Sequence, residues 1–223
     1  LLTEKTSNFD IICITEHWLK DYEFEYLNLN TYSLISKFCR KDKANGGSCI
    51  YVKSNIEARE CTLFQHLNQE QHFEASIVEL TQYNIMIICV YRTPTSDINL
   101  FNEKIEIIIN NLLNKKKQIV IMGDINVNFL GSNINPQLQV VLNSYGLEAI
   151  VNVPTRPNSQ TAVDQIIINR KLWDYNFKVI ATGFSDHYAQ ILQIHVDNYG
   201  NHGKCKKNSD KQYQFKIVRS VKE

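Results

Sequence analysis

An α/β fold of mixed β-sheets is what this sequence predicts, and three observations lead there. Short apolar runs alternate along the chain with amphipathic stretches, as strands interleaved with helices do. Neighbouring runs are repeatedly joined by turns too short for a parallel crossover, so antiparallel pairs are required and the sheets cannot be purely parallel. Finally, 223 residues with 43% hydrophobic and 21% charged side chains suit one large α/β domain, or two small ones, with a substantial core.

The elements follow in order. Leu1 and Leu2, leading to Ser7 and Asn8, read as the end of a helix, and the chain is expected to be a fragment whose beginning is missing. Residues 11–14 read as a buried strand ending at Thr15-Glu16-His17. Tyr32–Phe38 and 48–52 read as strands joined by a polar turn over 41–47. Strands over 76–80 and Ile85–Tyr91 are separated by 81–84 at hairpin spacing. Ser96-Asp97 caps a helix in which Ile98, Phe101, Ile105, Ile108 and Leu112 recur at helical spacing, and Lys115, Lys116 and Lys117 close it. An apolar strand, Ile119 to Met122 in sequence, runs into Gly123 and delivers Asp124 and Asn126 two residues apart. Asn135-Pro136 opens a second helix through Leu138, Val141 and Leu142 to Tyr145, with Gly146 as its stop. The remaining strands are 163–168, 178–181 and 187–196; in the last, Leu192, Ile194 and Val196 alternate with Gln193 and His195. After Asp197 the composition turns polar. The expected division is therefore a domain over 1–197 and a basic polar tail or linker over 198–223.

Charge and cysteine usage narrow the function classes. Lys and Arg total 24 against 23 Asp and Glu, a formal net charge of +1, so no global basic field advertises a polyanionic partner. Basic residues do gather late, at Lys204, Lys206, Lys207, Lys211, Lys216, Arg219 and Lys222, as a solvated tail or a nucleic-acid contact. The six cysteines contain no C-x-x-C pair, and Cys13 and Cys89 lie inside apolar runs. Reduced, buried thiols in a nuclear or cytosolic protein fit that usage better than zinc or a disulfide framework. No apolar run reaches the roughly 18 residues of a membrane span, and no signal peptide is visible, so no membrane partner is expected.

Five polar clusters sit at the ends or interruptions of apolar runs. Asp124 and Asn126 share one face of a strand end, where a carboxylate and a carboxamide can grip a water or a metal-bound phosphate; Gly-Asp also opens ordinary turns. Glu16 leaves a buried strand and reads either as a magnesium ligand or as a helix N-terminal acid. Tyr91 and Arg92 end a strand before Thr93-Pro94, as phosphate contacts or as a core-edge Tyr with a surface Arg. Asp164 interrupts an apolar strand, and acids are rarely buried alone. It either pairs with a structural cation or orients a histidine, and Ser185-Asp186-His187 supplies the candidate. Each cluster alone has a structural rival; their joint occurrence in this order argues for one site.

TEHW (Glu16), YRTP (Tyr91), GDINVN (Asp124, Asn126), TAVDQI (Asp164) and GFSDH (Asp186, His187) resemble the endonuclease/exonuclease/phosphatase superfamily. More narrowly, YGLEAIVNVPTRPNSQTAVDQIIIN resembles the endonuclease domain of non-LTR, LINE-like retrotransposons of the Jockey and CR1 kind. The resemblance implies a four-layer α/β sandwich of two mixed β-sheets flanked by helices. It implies a Mg²⁺-dependent phosphodiesterase, Mn²⁺ being the alternative ion, that nicks double-stranded DNA and leaves a 3′-hydroxyl for target-primed reverse transcription. A reverse transcriptase domain in a longer polyprotein is the implied partner, and YQFKIVRSVKE looks like the linker toward it.

Carried over by position, Glu16 holds the metal and Asp186 touches metal or water. Asp124, helped by Asn126, orients or deprotonates the attacking water; His187, steadied by Asp164, stabilises the transition state; Tyr91 lines the pocket. Arg92, Thr155, Arg156 and Ser185 are the phosphate or DNA contacts, with the loop 155–162 expected near the DNA groove. The family pattern opens on a strand bearing an Asn that has no counterpart here. A central strand of one sheet and part of the site are thus expected to be missing, with metal binding weakened. Ile125 replaces a frequent Phe and Thr93 a usual Pro. Two other readings compete: another phosphodiesterase of the superfamily, such as an apurinic-site repair nuclease or a phosphatase, and a non-catalytic retrotransposon-derived remnant.

Overall fold

Alternation along the strands builds two sheets that share one apolar interior. The computed structural model describes residues 9–131, 135–169, 174–183, 185–196 and 211–219. The helix end expected over 1–8 and the domain edge at Asp197 lie outside the described residues. The first sheet contains β1 (Ile11–Thr15), β2 (Tyr32–Phe38), β3 (Ser48–Lys53), β10 (Tyr175–Ile180), β11 (Ala189–Val196) and β12 (Lys211–Arg219). Its six strands run in the order β10-β11-β12-β1-β3-β2. The second contains β4 (Arg59–Glu60), β5 (Glu74–Leu80), β6 (Ile85–Tyr91), β7 (Gln118–Asp124), β8 (Leu147–Ala149) and β9 (Asp164–Asn169). Its order is β4-β5-β6-β7-β9-β8. Each sheet has one parallel pair, β1 with β12 and β6 with β7, and is otherwise antiparallel. The predicted mixed-sheet α/β sandwich is the observed architecture.

The period of two decides what each face meets. Ile11, Cys13, Ile50, Val52, Leu192 and Ile194 of the first sheet face Leu80, Ile85, Ile87, Val120, Met122 and Ile166 of the second. The outer face of the second sheet (Ile77, Met86, Ile88, Ile119, Ile121) is covered by α1 (Ile98–Asn114) and α2 (Pro136–Ser144). Phe101, Ile105, Ile108 and Leu112 form the buried stripe of α1, and Asp97 caps it by accepting the Asn99 N–H at 2.8 Å. Asn135 caps α2 in the same way, accepting from Leu138, with Pro136 in the first turn. On the outer face of the first sheet, Ile12, Ile14, Cys49 and Tyr51 pack with Phe24 from a 3-10 turn over Asp21–Tyr26.

The segment β6–α1–β7 is the crossover that aligns the parallel pair. The close approach of β6 and β7 has a sequence cause. Gly123 sits at φ +152°, and a Cβ there would lie 1.9 Å from the Val90 carbonyl oxygen. Only glycine fits, immediately before Asp124.

One expectation about the first sheet is corrected. The polar tail expected beyond Asp197 contains a strand, β12, and that strand lies between β11 and β1. The physical reason is visible in the sequence: Tyr213, Phe215 and Ile217 alternate with Gln212, Gln214 and Lys216 at strand period. β12 comes from the C-terminal part of the sequence and carries no Asn, so it is not the Asn-bearing opening strand of the family pattern. Several basic residues assigned to the tail (Lys204, Lys206, Lys207, Lys222) lie outside the described residues. Among the described residues no helix is long and apolar enough to cross a membrane.

Candidate active site

Strand register assembles the first half of the site. Tyr91 is paired with Asp124 across β6 and β7, and Asp124 with Asp164 across β7 and β9. Direct partners point to the same face. These three share the parity of Cys89, Met122 and Ile166, so they face the other sheet at the rim of the interior. Asp124 and Asp164 are 0% and 1% exposed, burial that carboxylates tolerate only with partners.

His187 meets this row from the other sheet's side. Its Nδ1 lies 2.7 Å from Asp164 Oδ2, with both side chains buried. Local chemistry aims it: Ser185 Oγ accepts the His187 N–H at 3.0 Å, a hydroxyl-closed turn just before β11. Thr155 aims Asp164 in turn, its hydroxyl oxygen accepting the N–H groups of Val163 and Asp164 at 3.2 Å each. The Thr155 carbonyl also accepts the Tyr188 N–H at 2.7 Å, so one residue ties the two strand ends together. One donor atom from each of Asp124, Asp164 and His187 lies within 4.8 Å of the others.

The second half of the site is Glu16, at the end of β1. The Tyr91 hydroxyl donates to Glu16 Oε1, joining the two sheets at the rim. Glu16 is buried and has φ +54°, and Trp18 has φ +61°. For L residues such backbone costs roughly 1–2 kcal/mol each and persists only where the surroundings impose it. Here the Gly47 carbonyl accepts the Glu16 N–H at 2.8 Å and the Gly46 carbonyl accepts that of Trp18 at 3.0 Å.

The expected site residues thus divide. Glu16, Tyr91, Asp124, Asp164 and His187 come together. Asn126, also at positive φ, lies beside them: its N–H donates to Asp124 Oδ1 at 3.1 Å and its amide nitrogen to the Arg92 carbonyl at 2.7 Å. Arg92, expected to address phosphate, is buried and turned to internal acceptors. It donates to the carbonyls of Ile125 (2.8 Å), Asn126 (3.0 Å) and Ser96 (2.7 Å) and to Ser96 Oγ (2.8 Å). Burial pulls its pKa below the ordinary arginine value, opposed by the neighbouring Asp124 carboxylate. Its place is that of a brace holding the Asn126 loop. Thr155, expected to touch phosphate, is fully buried with its hydroxyl committed to backbone. Asp186, expected at the metal, is outside the group formed by Asp124, Asp164 and His187. It forms a half-exposed ion pair with Arg156, Nη2 to Oδ2 at 2.8 Å. Ser185 supports His187 as described.

Three residues escaped the sequence reading. His17 is buried, its Nε2 3.0 Å from the Phe38 carbonyl and its Nδ1 accepting the Leu19 N–H at 3.0 Å. Burial lowers its pKa from 6.5. Arg40 and Glu74 form a buried ion pair at 2.6 Å behind the Gly46-Gly47 turn. The signal for Glu74 was present: like Asp164, it is an acid entering an apolar strand.

The close donor atoms are those of Asp124, Asp164 and His187, with Glu16 outside that group, as Asp186 is, and joined to the rim through Tyr91. The two buried carboxylates of the group concentrate negative charge that a divalent cation relieves. Hard oxygen donors of this kind suit Mg²⁺ or Mn²⁺. The donor set fits such an ion.

Comparison with known proteins agrees in fold. The sequence profile of the endonuclease/exonuclease/phosphatase family matches residues 2–187. Among solved structures, the chain is similar to the endonuclease domain of TRAS1, a telomere-specific non-LTR retrotransposon. That match has 15% identity and a TM-score of 0.60, and covers 83% of this chain and 97% of that one. It is also similar to the 3′ phosphatase NExo from Neisseria bound to a product DNA hairpin, at 13% identity and TM-score 0.58, covering 84% and 89%. A third similar structure is an endonuclease/exonuclease/phosphatase family protein from Leptotrichia buccalis C-1013-b, at 16% identity and TM-score 0.52, covering 88% and 89%. No curated protein matches the sequence.

Proposed function

The chain belongs to the endonuclease/exonuclease/phosphatase family, and from that premise we propose that it is a divalent-metal-dependent DNA endonuclease of the non-LTR retrotransposon kind. It hydrolyses one phosphodiester of double-stranded DNA and leaves a 3′-hydroxyl. That end primes reverse transcription by a polymerase domain of a longer polyprotein, in the nucleus. One observation carries the reading: Tyr91, Asp124 and Asp164 stand in register across three strands, with Glu16 hydrogen-bonded to the first and His187 to the last.

The roles follow from position. Asp124 takes the proton of the attacking water, with its Oδ1 held by the Asn126 N–H. Asp164 fixes the His187 ring through Nδ1, and His187 presents its other nitrogen to a non-bridging phosphate oxygen, where negative charge grows. Glu16, oriented by the Tyr91 hydroxyl, is the residue that would hold Mg²⁺, or Mn²⁺ in its place. When bound, the ion neutralises phosphate charge and polarises water. The bond from water oxygen to phosphorus forms, the bond from phosphorus to O3′ breaks, and the departing oxygen takes a proton. Arg156 and Asp186 stand at the exposed edge where the duplex approaches.

Conversion of supercoiled plasmid to open circle in Mg²⁺, with an abasic duplex in parallel, tests the proposal. Nicking of the plasmid is expected, reduced about 10²–10⁴-fold in Asp124→Ala and His187→Ala. Equal nicking by all three proteins removes the assignment of roles. Cleavage confined to the abasic duplex identifies a repair nuclease instead.

A further inference from the structure

The loop 41–47 is held at both ends by carboxylates from one short stretch, the turn at Glu70 and the start of β5 at Glu74. At its start, Glu70 accepts three successive backbone N–H groups: Lys41 at 2.5 Å, Asp42 at 3.1 Å and Lys43 at 2.8 Å. At its end, the buried Glu74 accepts the Gly47 N–H through Oε2 at 2.6 Å. Its Oε1 accepts both Arg40 Nε and the Gln71 N–H, each at 2.6 Å. Arg40 is itself buried and donates from Nη1 to the Ala44 carbonyl at 2.8 Å, inside the loop it anchors.

What the loop touches gives the clamp its meaning. The Gly46 and Gly47 carbonyls hold the left-handed backbone of Trp18 and Glu16. Neither glycine can be replaced without displacing a neighbour. A Cβ on Gly46 would lie 2.2 Å from Arg40 Nε, and one on Gly47 would lie 2.3 Å from His17 Nε2. The same Glu74 carboxylate reaches the Tyr91 segment. The Gln71 carbonyl accepts the Thr93 N–H at 3.0 Å and the Thr93 hydroxyl at 2.9 Å, and the Arg40 guanidinium carbon lies 5.7 Å from the Tyr91 ring centroid. One carboxylate thus anchors the supports of both Glu16 and Tyr91, the two side chains that hydrogen-bond to each other.

We propose that the Arg40–Glu74 pair, assisted by Glu70, positions the Glu16 carboxylate toward its divalent cation. This rests on the reading of Glu16 as the metal-holding residue. A buried ion pair is a weak device for stability, since well-packed apolar residues often serve as well. An apolar pair, however, cannot accept the Gly47 and Gln71 N–H groups at fixed angles. Orientation is what the ion pair adds. Hydrogen-bond partners that orient a metal's protein ligands typically change metal affinity about 10–100-fold when removed.

The test is titration of the whole chain with Mn²⁺ alone, followed by electron paramagnetic resonance, below the unfolding temperature of each protein. Wild type is compared with Glu74→Gln, Arg40→Lys, Arg40→Met and Glu70→Ala. Mn²⁺ affinity is expected to fall about 10–100-fold in Glu74→Gln and Arg40→Met. Arg40→Lys, which keeps a cation, should recover part of the loss. Plasmid nicking should show the same shift in the Mg²⁺ concentration needed for half-maximal rate, with the rate largely restored at saturating Mg²⁺. Glu70→Ala leaves its three N–H groups to solvent and folds even if the buried variants do not; a several-fold loss of Mn²⁺ affinity is expected there. Lowered unfolding temperatures with unchanged Mn²⁺ affinity overturn the positioning role. If wild type binds no Mn²⁺, the metal-dependent function itself fails first.

Discussion

Asp164 is held through its N–H by the Thr155 hydroxyl and holds the His187 ring through its carboxylate, the contact to which the proposed mechanism gives a chemical role. Replacing Asp164 with Asn keeps the shape but reverses what the side chain offers the imidazole. Nicking by Asp164→Asn should fall on the order of 10²–10⁴-fold with the circular dichroism spectrum unchanged; retained activity would leave His187 without an orienting partner in the mechanism. His17 yields a prediction about pH. Its pKa lies below 6.5 in the folded protein because burial disfavours the imidazolium. The unfolded chain therefore binds more protons between the folded value and 6.5, and stability is lost as pH falls through that window. His17→Gln should flatten this part of the stability profile, followed by urea unfolding at a series of pH values. At this scale the legible residues were acids and a histidine set against apolar strands. Arg92 was misread because an arginine beside a proline turn gives no sign that backbone carbonyls will surround it. Glu74 left a signal, an acid entering an apolar strand, but its partner Arg40 left none.

Elements with strong periodicity were read closely. Tyr32–Phe38 and Ile85–Tyr91 match their strands end to end, and both helices begin at the predicted caps. The edge strands β4 and β8 are too short to show a period, and β10 begins at Tyr175, ahead of the expected 178–181. The 3-10 turns over Asp21–Tyr26 and Thr62–Leu67 each bury a single aromatic residue, which also leaves no pattern. The loop 155–162 is closed by a bridge between Arg156 and Thr161 and latched to the site by the Arg156–Asp186 pair. Shortening 156–160 should alter the distribution of nick sites on plasmid DNA while leaving the rate on a featureless duplex within a few fold. An unchanged distribution would separate this loop from target choice.

At the scale of the whole molecule, the mixed sandwich followed from alternation and turn length, but the origin of one central strand did not. Polar residues after Asp197 masked the return of the chain to the sheet. Because β12 is paired with β11 on one side and β1 on the other, its removal divides a six-stranded sheet into two. Each severed edge would expose unpaired backbone groups. A chain ending at Val196 should therefore unfold at markedly lower temperature than the full chain, and amide hydrogen exchange should accelerate in β1 and β11 while β6 keeps more of its protection. Uniform protection in the shortened chain would show that β12 adds nothing to the sheet.

The Tyr91–Glu16 hydrogen bond spans the seam between the sheets, so the reactive cluster has one shore on each layer. Under the proposed mechanism, catalysis becomes a gauge of interlayer fit. A void opened midway along the seam, as by Ile87→Ala, costs about 2–5 kcal/mol and lets the two shores drift. Turnover should then decline on warming before any cooperative melting is seen, much as a watch loses time before it stops.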